Sequence, residues 1–275
     1  MNLSQLIASI SEELASSGIE SPAADARELI CYHQSISKSE LSMMEIQGHE
    51  LNLIDESEIL ALVSKRAMRI PLQHITGKSY FRNLELEVGP GVFTPRPETE
   101  TLVEIALGLD LPERTSFEVG AGSGAISISL TEESDFQSTA LEVSEQAAVW
   151  TKKNIAKYGD RVRFVLDDFE TFVPDQKYGL LISNPPYIPE TAIPVDPEVR
   201  LYDPEQALYS GADGLDVIRM LADSKNYLLP GGVLLFEHDE SQRQAIVELL
   251  LEKEWNDIRW FPDLNGRDRF IQAVA

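Results

Sequence analysis

The sequence contains little cysteine and few basic residues, and each shortage excludes a class of protein. Its 275 residues include one cysteine, Cys31, so an internal disulfide and a cysteine-based zinc site are excluded. Lys and Arg number 23 against 46 Asp and Glu, which gives a formal net charge of −23 at pH 7. Because this charge repels phosphate backbones, we expect no direct nucleic-acid partner and favour a basic protein or a small cofactor.

Long hydrophobic runs are also missing. No apolar segment approaches the roughly 20 residues that a membrane-spanning helix needs, although 43% of the residues are hydrophobic. The start, MNLSQLIASISEEL, lacks the basic stretch and long apolar run of a signal peptide. We therefore expect a cytoplasmic protein with no membrane partner. At about 150 residues per domain, the length predicts roughly two domains.

Residues 1–71 have the apolar spacing of helices and predict a small N-terminal helical bundle. From Leu3 onward, apolar residues recur every three or four positions. Ser21-Pro22 is typical of a helix start, and a further helix is predicted from about Asp55 to Met68.

Residues 72–100 are predicted to connect this bundle to the remaining domain, 101–275. The connector contains FRNLELEVGPGVF, whose alternation predicts a β-hairpin with Gly89-Pro90-Gly91 at its turn. The segment PRPETE, from Pro95 to Glu100, is predicted to begin a helix, because proline and glutamate are favourable in a first helical turn.

Beyond residue 100, strand-like and helix-like segments alternate, which predicts an α/β fold with a parallel sheet and helices on both faces. The predicted strands lie near 115–119, 138–143, 162–166, 179–183, 232–237, 257–261 and 270–274. Only PDLNGRDR separates the last two strands, and a parallel crossover needs about a dozen residues, so this connection is predicted to be an antiparallel hairpin. A mostly parallel seven-stranded sheet with an antiparallel last strand is typical of the class I S-adenosylmethionine-dependent methyltransferase fold.

The segment SFEVGAGSGAISISL places three glycines where a buried strand turns into a helix. Such glycines let a ligand approach the backbone, and the helix start offers free N–H groups. The next strand ends at Glu142, where a carboxylate can hold both ribose hydroxyls of an adenosine. The loop also fits a dinucleotide fingerprint or a turn without a ligand. Glu118 favours S-adenosylmethionine over NAD, since a carboxylate suits the methionine ammonium and opposes a pyrophosphate.

The segment GLLISNPPYIP places Asn-Pro-Pro-Tyr directly after a buried strand, at the edge where doubly wound sheets bind ligands. The prolines hold Asn184 extended, so its side-chain oxygen and the Pro185 carbonyl can each accept an N–H from one –NH2 group. Tyr187 offers an aromatic face to the planar group that carries it. Two acceptors on the –NH2 hydrogens return electron density to the nitrogen, whose lone pair is otherwise delocalised. Positioning of the amide can then replace a strong general base. The alternative is a proline-rich strand terminator.

Asn-Pro-Pro-Tyr after E-x-G-x-G-x-G resembles methyltransferases that act on planar –NH2 groups. The segments PLQHITGKSYF, GVFTPRPETETLVE, DPEQALYSGADGLD and GRDRF further resemble the HemK-type release factor glutamine methyltransferases, over nearly the whole chain. The resemblance implies methyl transfer from S-adenosylmethionine to the glutamine amide in the Gly-Gly-Gln motif of class I peptide chain release factors. Because a glutamine side chain offers few contacts and the N-terminal bundle shows no catalytic features, we expect the bundle to contribute to release factor recognition. We also expect a monomer.

The resemblance carries roles to individual residues. Those implied to bind the cofactor are Glu118, Gly120, Ala121, Gly122, Ser123, Gly124, Glu142, Asp168, Phe169 and Asn184. Those implied to bind the substrate are Asn184, Pro185, Pro186 and Tyr187, of which Asn184, Pro185 and Tyr187 are the catalytic candidates. Glu118 and Glu142 stand where the family usually has aspartate, and Asp203 stands where glutamate is common. Each difference keeps the negative charge and changes the length of the side chain by one methylene group.

Several other polar residues allow two interpretations. Arg96 and Glu98 are expected to help close the site, or else only to begin a helix. The histidines show no metal-ligand spacing, so no metal is expected; they are His33, His49, His74 and His238. The Glu237-His238-Asp239-Glu240 cluster is interpreted as the polar end of the fifth strand.

Three other functions are left open. Glutamine methyltransferases of a large-subunit ribosomal protein share Asn-Pro-Pro-Tyr but typically carry Pro-Arg-Ser where this chain has Pro95-Arg96-Pro97. An adenine-specific DNA methyltransferase needs a basic target-recognition region, which the charge of −23 argues against. A nucleotide-binding adaptor without catalytic activity does not need an intact Asn-Pro-Pro-Tyr.

Overall fold

The computed structural model describes residues 2–275, and these form two compact units. The helical unit comprises the described residues up to Lys78 together with Pro194–Tyr202. The sheet unit comprises Ser79–Ile193 and Asp203–Ala275. The main difference from the predicted segments is Pro194–Tyr202. This short stretch follows the Asn-Pro-Pro-Tyr motif and belongs to the helical unit.

The helices and strands are numbered here in chain order. The helices are α1 (Leu3–Ser16), α2 (Pro22–Gln34), α3 (Lys38–Ile46), α4 (Leu53–Ala67), α5 (Leu72–Thr76), α6 (Glu100–Leu107), α7 (Ala125–Glu133), α8 (Glu145–Tyr158), α9 (Pro197–Tyr202), α10 (Asp216–Asp223) and α11 (Arg243–Glu252). The strands are β1 (Lys78–Phe81), β2 (Leu84–Glu87), β3 (Thr115–Val119), β4 (Gln137–Glu142), β5 (Val162–Leu166), β6 (Tyr178–Ser183), β7 (Leu228–Glu237), β8 (Asn256–Pro262) and β9 (Asp268–Val274). Among residues 2–275, no helix combines the length and the apolar character needed to cross a membrane.

The helical unit buries one apolar core between α1, α2 and α4, as the spacing from Leu3 predicts. Pro22 opens α2 at its first position, and α4 confirms the helix predicted near Asp55–Met68. Helix α3 was not predicted. It begins with a capping box in which Ser37 accepts from the Glu40 backbone N–H and the Glu40 carboxylate accepts from the Ser37 N–H.

The predicted position of the hairpin turn was wrong. Strands β1 and β2 form the two-stranded sheet, so the turn lies at Arg82-Asn83 and not at Gly89-Pro90-Gly91. The glycine at 89 serves packing instead, because a Cβ there would lie 2.5 Å from Cζ2 of Trp150 on α8. The segment PRPETE begins as a 3-10 turn over Pro97–Thr99, which leads directly into α6.

The seven-stranded sheet confirms the predicted fold class. Its strand order is β5-β4-β3-β6-β7-β9-β8, with parallel pairing except that β9 is antiparallel to both neighbours. One buried apolar cluster joins residues of α6 and α7 to one face of the sheet, and a second joins α10 and α11 to the other. The parallel strands β3, β4, β6 and β7 end at one edge, where the predicted site residues follow.

Candidate active site

The glycine loop continues β3 at this edge and enters α7 through a left-handed turn. Gly120, Gly122 and Gly124 have φ of +73°, +56° and +83°, a region that favours glycine. A Cβ at Gly120 or Gly122 would meet nothing within 4 Å, whereas a Cβ at Gly124 would approach Ile128 to 3.2 Å. The first two glycines therefore leave open space over the loop, and the third lets α7 start close to its neighbours.

Most of the N–H groups expected to be free at this loop are already occupied. Gly120 and Ala121 both donate to the Leu141 carbonyl, at 3.0 and 2.9 Å. The Gly122 N–H donates to Glu142 at 2.7 Å, and the Ser127 N–H donates to Glu118 at 3.0 Å. The carboxyl groups of Glu142 and Glu118 therefore occupy N–H groups that would otherwise be offered to an anionic pyrophosphate.

Helix α8 holds the loop from the other side through two residues that the sequence did not single out. The Thr151 hydroxyl donates to the Gly122 carbonyl at 2.6 Å, and the Asn154 amide donates to the Ser123 carbonyl at 2.9 Å. Both side chains are buried. Their positions three residues apart place them on one face of the helix, which is the only sequence signal for this role.

The predicted acidic-aromatic pair follows β5 at the same edge. Asp168 is exposed, and its carboxylate accepts from the Glu170 N–H at 2.9 Å. Phe169 is half-buried and packs against Phe117 of β3 and Tyr227, with ring centroids 6.2 and 6.0 Å apart. The pair thus presents a carboxylate to solvent beside an aromatic ring fixed by the sheet.

The Asn-Pro-Pro-Tyr loop leaves β6 next to the glycine loop, since β6 pairs with β3. The Ser183 hydroxyl donates to the Val119 carbonyl at 2.7 Å, which joins the last residues of the two strands. Asn184 is half-buried and Pro185 is buried. Within residues 2–275, neither the Asn184 Oδ1 nor the Pro185 carbonyl oxygen accepts a hydrogen bond. Both acceptors expected from the sequence are therefore available.

A buried polar network lies behind this loop. The Asn184 amide Nδ2 donates to the Thr99 hydroxyl at 3.1 Å, and that hydroxyl donates to Glu237 Oε2 at 2.8 Å. The Tyr187 hydroxyl donates to Glu237 Oε1 at 3.1 Å. Burial and the adjacent Glu237 raise the pKa of Tyr187 above its usual range, so it remains a donor. Glu237 therefore does more than end its strand, and the sequence interpretation missed this role.

The backbone beyond Tyr187 is also fixed. The Gln242 amide donates to the Tyr187 carbonyl at 2.9 Å. The Ile188 N–H donates to the Leu208 carbonyl at 2.9 Å, and the Ser210 N–H donates to the Ile188 carbonyl at 3.0 Å. The loop is therefore held at both ends as well as from behind.

Arg96 and Glu98, predicted to help close the site, have different surroundings. Arg96 pairs with the buried Asp203 at 2.8 Å and lies over the Phe93 ring at 5.2 Å. Burial raises the pKa of Glu237, and the charge of the half-buried Glu98 acts in the same direction. Arg96 thus joins PRPETE to the segment around Asp203, while a role in closing the site remains a prediction for both.

One histidine lies in a cluster that the sequence did not predict. His33 Nε2 is 3.6 Å from Asp55 and 3.5 Å from Glu58, which brings α2 and α4 together. Three such ligands could approach one ion, but exposed acidic groups commonly occur without one, and nothing else there indicates a ligand. We assign it as a cluster of polar side chains in the helical unit.

Comparisons with known proteins cover the whole chain. Residues 5–77 match the family described as PrmC N-terminal domain, and residues 86–199 match the methyltransferase small domain. The chain is 42% identical to the release factor glutamine methyltransferase of Streptomyces coelicolor, over 97% of this chain and 96% of the relative. It is 35% identical to that of Bifidobacterium longum, over 100% of each. A solved methyltransferase from Pyrococcus furiosus shares the fold, with a TM-score of 0.52 and 18% identity over 79% of this chain and 98% of that one.

Proposed function

The chain belongs to the release factor glutamine methyltransferase family, and from this premise we propose that it methylates the glutamine of the Gly-Gly-Gln motif in peptide chain release factors. In this reaction the amide nitrogen gains a methyl group and loses one proton. The observation that carries the proposal is that the Asn184 Oδ1 and the Pro185 carbonyl oxygen accept no hydrogen bond from the described residues, 2–275. Both residues follow a strand beside the glycine loop. They can accept both hydrogens of one –NH2 group.

The residues around the glycine loop fit S-adenosylmethionine, which supplies a methyl group on a positively charged sulfonium when bound. The open space over Gly120 and Gly122 admits a ligand against the backbone. The Glu142 carboxylate accepts two backbone N–H groups and keeps lone pairs for ribose hydroxyls. We further propose that Asp168 and Phe169 lie beside the adenine and that Glu118 faces the methionine ammonium.

The chain contributes positioning and electrostatics to this chemistry. A glutamine amide is a poor nucleophile because its lone pair is delocalised into the carbonyl. Hydrogen bonds from its –NH2 to Asn184 Oδ1 and the Pro185 carbonyl orient that lone pair and favour the build-up of positive charge on nitrogen. Tyr187, held by Glu237, presents its ring to the planar amide.

The test is methylation of a purified release factor by the purified protein with S-adenosylmethionine, read by mass spectrometry of the Gly-Gly-Gln peptide. We expect Asn184→Ala to slow methylation by about 100-fold while the fold and most contacts to S-adenosylmethionine survive. Asn256→Ala, at an exposed position on β8, is the matched control and should behave as wild type. An Asn184→Ala protein with normal turnover would contradict the assigned role, and calorimetry showing binding of NAD alone would overturn the cofactor assignment.

We also propose that the helical unit contributes to recognition of the intact release factor. A single glutamine side chain offers few contacts, so the Asn-Pro-Pro-Tyr loop alone cannot distinguish one exposed glutamine from another. Specificity then needs a second surface that contacts the folded partner. The candidate catalytic residues all belong to the sheet unit, which leaves the described part of the helical unit available for that contact.

A further inference from the structure

We propose that Thr99 and Glu237 are positioning residues that fix the Asn184 amide with its oxygen toward the target glutamine. The inference rests on the proposed function, because it concerns the same amide-binding site. Both side chains are 4% exposed, so neither is displayed on the surface. Their contribution to the reaction would therefore pass through the residues they hold.

The fold brings these residues together from three distant parts of the chain. Strands β6 and β7 pair in parallel with Ser183 opposite Phe236, so Asn184 and Glu237 are the next residues on neighbouring strands. Thr99 ends the 3-10 turn that Pro97 opens, immediately before α6. Its hydroxyl oxygen lies 3.1 Å from Asn184 Nδ2 and 2.8 Å from Glu237 Oε2.

The order of donors and acceptors in this network determines the orientation of the Asn184 amide. The Thr99 hydroxyl has a single proton, and it donates that proton to Glu237 Oε2. The hydroxyl oxygen can then only accept from Asn184, and only the –NH2 end of the amide can donate to it. The amide oxygen consequently faces the other way, where it has no partner within residues 2–275.

Tyr187 completes the network from the opposite side of the carboxylate. Its hydroxyl donates to Glu237 Oε1, so both carboxylate oxygens carry a hydrogen bond from a different part of the site. One buried carboxylate thereby sets the orientation of the Asn184 amide through Thr99 and that of the Tyr187 ring directly. A carboxyl group buried at the end of a central strand needs hydrogen-bond partners, and Thr99 and Tyr187 supply them.

The test compares Thr99→Val, which keeps the shape but removes the hydroxyl, with Thr99→Ser, which keeps the hydroxyl. We expect Thr99→Val to lower kcat for release factor methylation by about 10-fold, the effect of one lost positioning hydrogen bond. The dissociation constant for S-adenosylmethionine, measured by calorimetry, should be unchanged. Thr99→Ser should restore most of the rate. Equal rates for Thr99→Val and wild type would overturn the proposal.

A double-mutant cycle with Asn184→Ala separates positioning from general destabilisation. If Thr99 acts through Asn184, adding Thr99→Val to Asn184→Ala should cause little further loss of rate. An undiminished 10-fold loss in that background would show a merely structural role and would overturn the proposal.

A spectroscopic readout is independent of activity. In NMR spectra of the full-length protein, the side-chain –NH2 resonance of Asn184 can be identified because it disappears in Asn184→Ala. It should shift in Thr99→Val and return in Thr99→Ser. A wild-type protein that methylates no release factor, but whose Asn184 resonance responds in this way, would overturn the proposed function and still support the contact. An unresponsive resonance would overturn the positioning proposal alone.

Discussion

At the scale of single residues, burial changes what the carboxylate of Glu118 can do. It is 1% exposed, and desolvation raises its pKa to about 8, with the Ser127 hydrogen bond acting in the opposite direction and the charge of Glu142 in the same direction. At neutral pH the carboxyl group is therefore mostly protonated when no cation is near. Its proposed attraction to an ammonium group requires that binding release this proton.

Glu118→Gln should remove a pH dependence of folding stability. The folded protein keeps the Glu118 proton up to about pH 8, whereas the unfolded chain loses it near pH 4.5. The free energy of unfolding therefore falls as pH rises through this window. Because glutamine stays neutral, the stability of the variant relative to wild type should increase from pH 5 to pH 8 in urea unfolding. Glu132→Gln, at an exposed position on α7, is the matched control, and the same result for both variants would contradict the prediction.

The residues that sequence reasoning identified at the site are those whose signal is local. The glycine loop and Asn-Pro-Pro-Tyr are short, contiguous patterns whose residue types alone indicate what each can bind. The hydrogen bond between the Thr99 hydroxyl and Glu237 joins residues 138 positions apart in the sequence. The hydrogen bond between Asn184 and Thr99 joins residues 85 positions apart. These groups meet because β6 lies beside β7 in the sheet. That strand order cannot be deduced from a local sequence pattern.

At the scale of elements, the sequence predicted the strands well because apolar runs between helical segments mark buried parallel strands. All seven predicted strands are present, although β7 begins at Leu228, four residues before the predicted position. The hairpin turn was misplaced because glycines serve both turns and close packing, and composition cannot distinguish the two uses. The Trp150 ring that requires a glycine at 89 lies 61 positions along the chain.

Gly214 lies against the backbone of the Asn-Pro-Pro-Tyr loop. It has φ of +77°, and a Cβ there would overlap the Tyr187 carbonyl and lie 2.7 Å from the Gln242 amide nitrogen. Gly214→Ala should therefore displace the loop and lower the methylation rate as well as stability.

Gly231→Ala is the matched control, because its φ is +78° and a Cβ there meets nothing within 4 Å. Both variants should lose roughly 1–2 kcal/mol for the left-handed backbone. Only Gly214→Ala should lose more than this in urea unfolding and also lose rate. Equal effects of the two variants on rate would contradict a role for this close approach.

At the scale of the whole molecule, the chain passes between its two units at three places, after residues 78, 193 and 202. The second and third passages enclose Pro194–Tyr202, a segment that begins seven residues after Tyr187 and belongs to the helical unit. A buried network holds it there: Arg66 donates to Asp25 at 2.7 Å and pairs with Glu198 at 2.8 Å. The sequence did not predict this, because the segment carries no pattern of its own.

Arg66→Gln should weaken the attachment of this segment to the helical unit, which Arg69 and the Tyr202 hydroxyl also hold. Removing the guanidinium leaves Asp25 and Glu198 without their shared partner, and breaking a buried ion pair typically costs about 3–5 kcal/mol. Trypsin should then cleave after Arg200, which is exposed on α9, much faster than in wild type. The control is Arg27→Gln, which breaks a partly exposed pair with Glu45 in the same unit and should leave the cleavage rate unchanged. Equal cleavage of the two variants would show that Arg66 does not anchor the segment.

The net charge of −23 should act on encounter with the partner and not on the chemical step. An acidic protein accelerates association with a basic surface, and added salt screens that attraction as the Debye length falls from about 10 Å at 0.1 M to about 3 Å at 1 M. We therefore expect kcat/KM for an intact release factor to fall steeply as salt is raised, with kcat nearly constant. A short uncharged Gly-Gly-Gln peptide lacks the folded surface, so its slow methylation should change little over the same range. A parallel fall for protein and peptide would instead assign the salt effect to the site itself, and the acidic surface would have no part in selecting the partner.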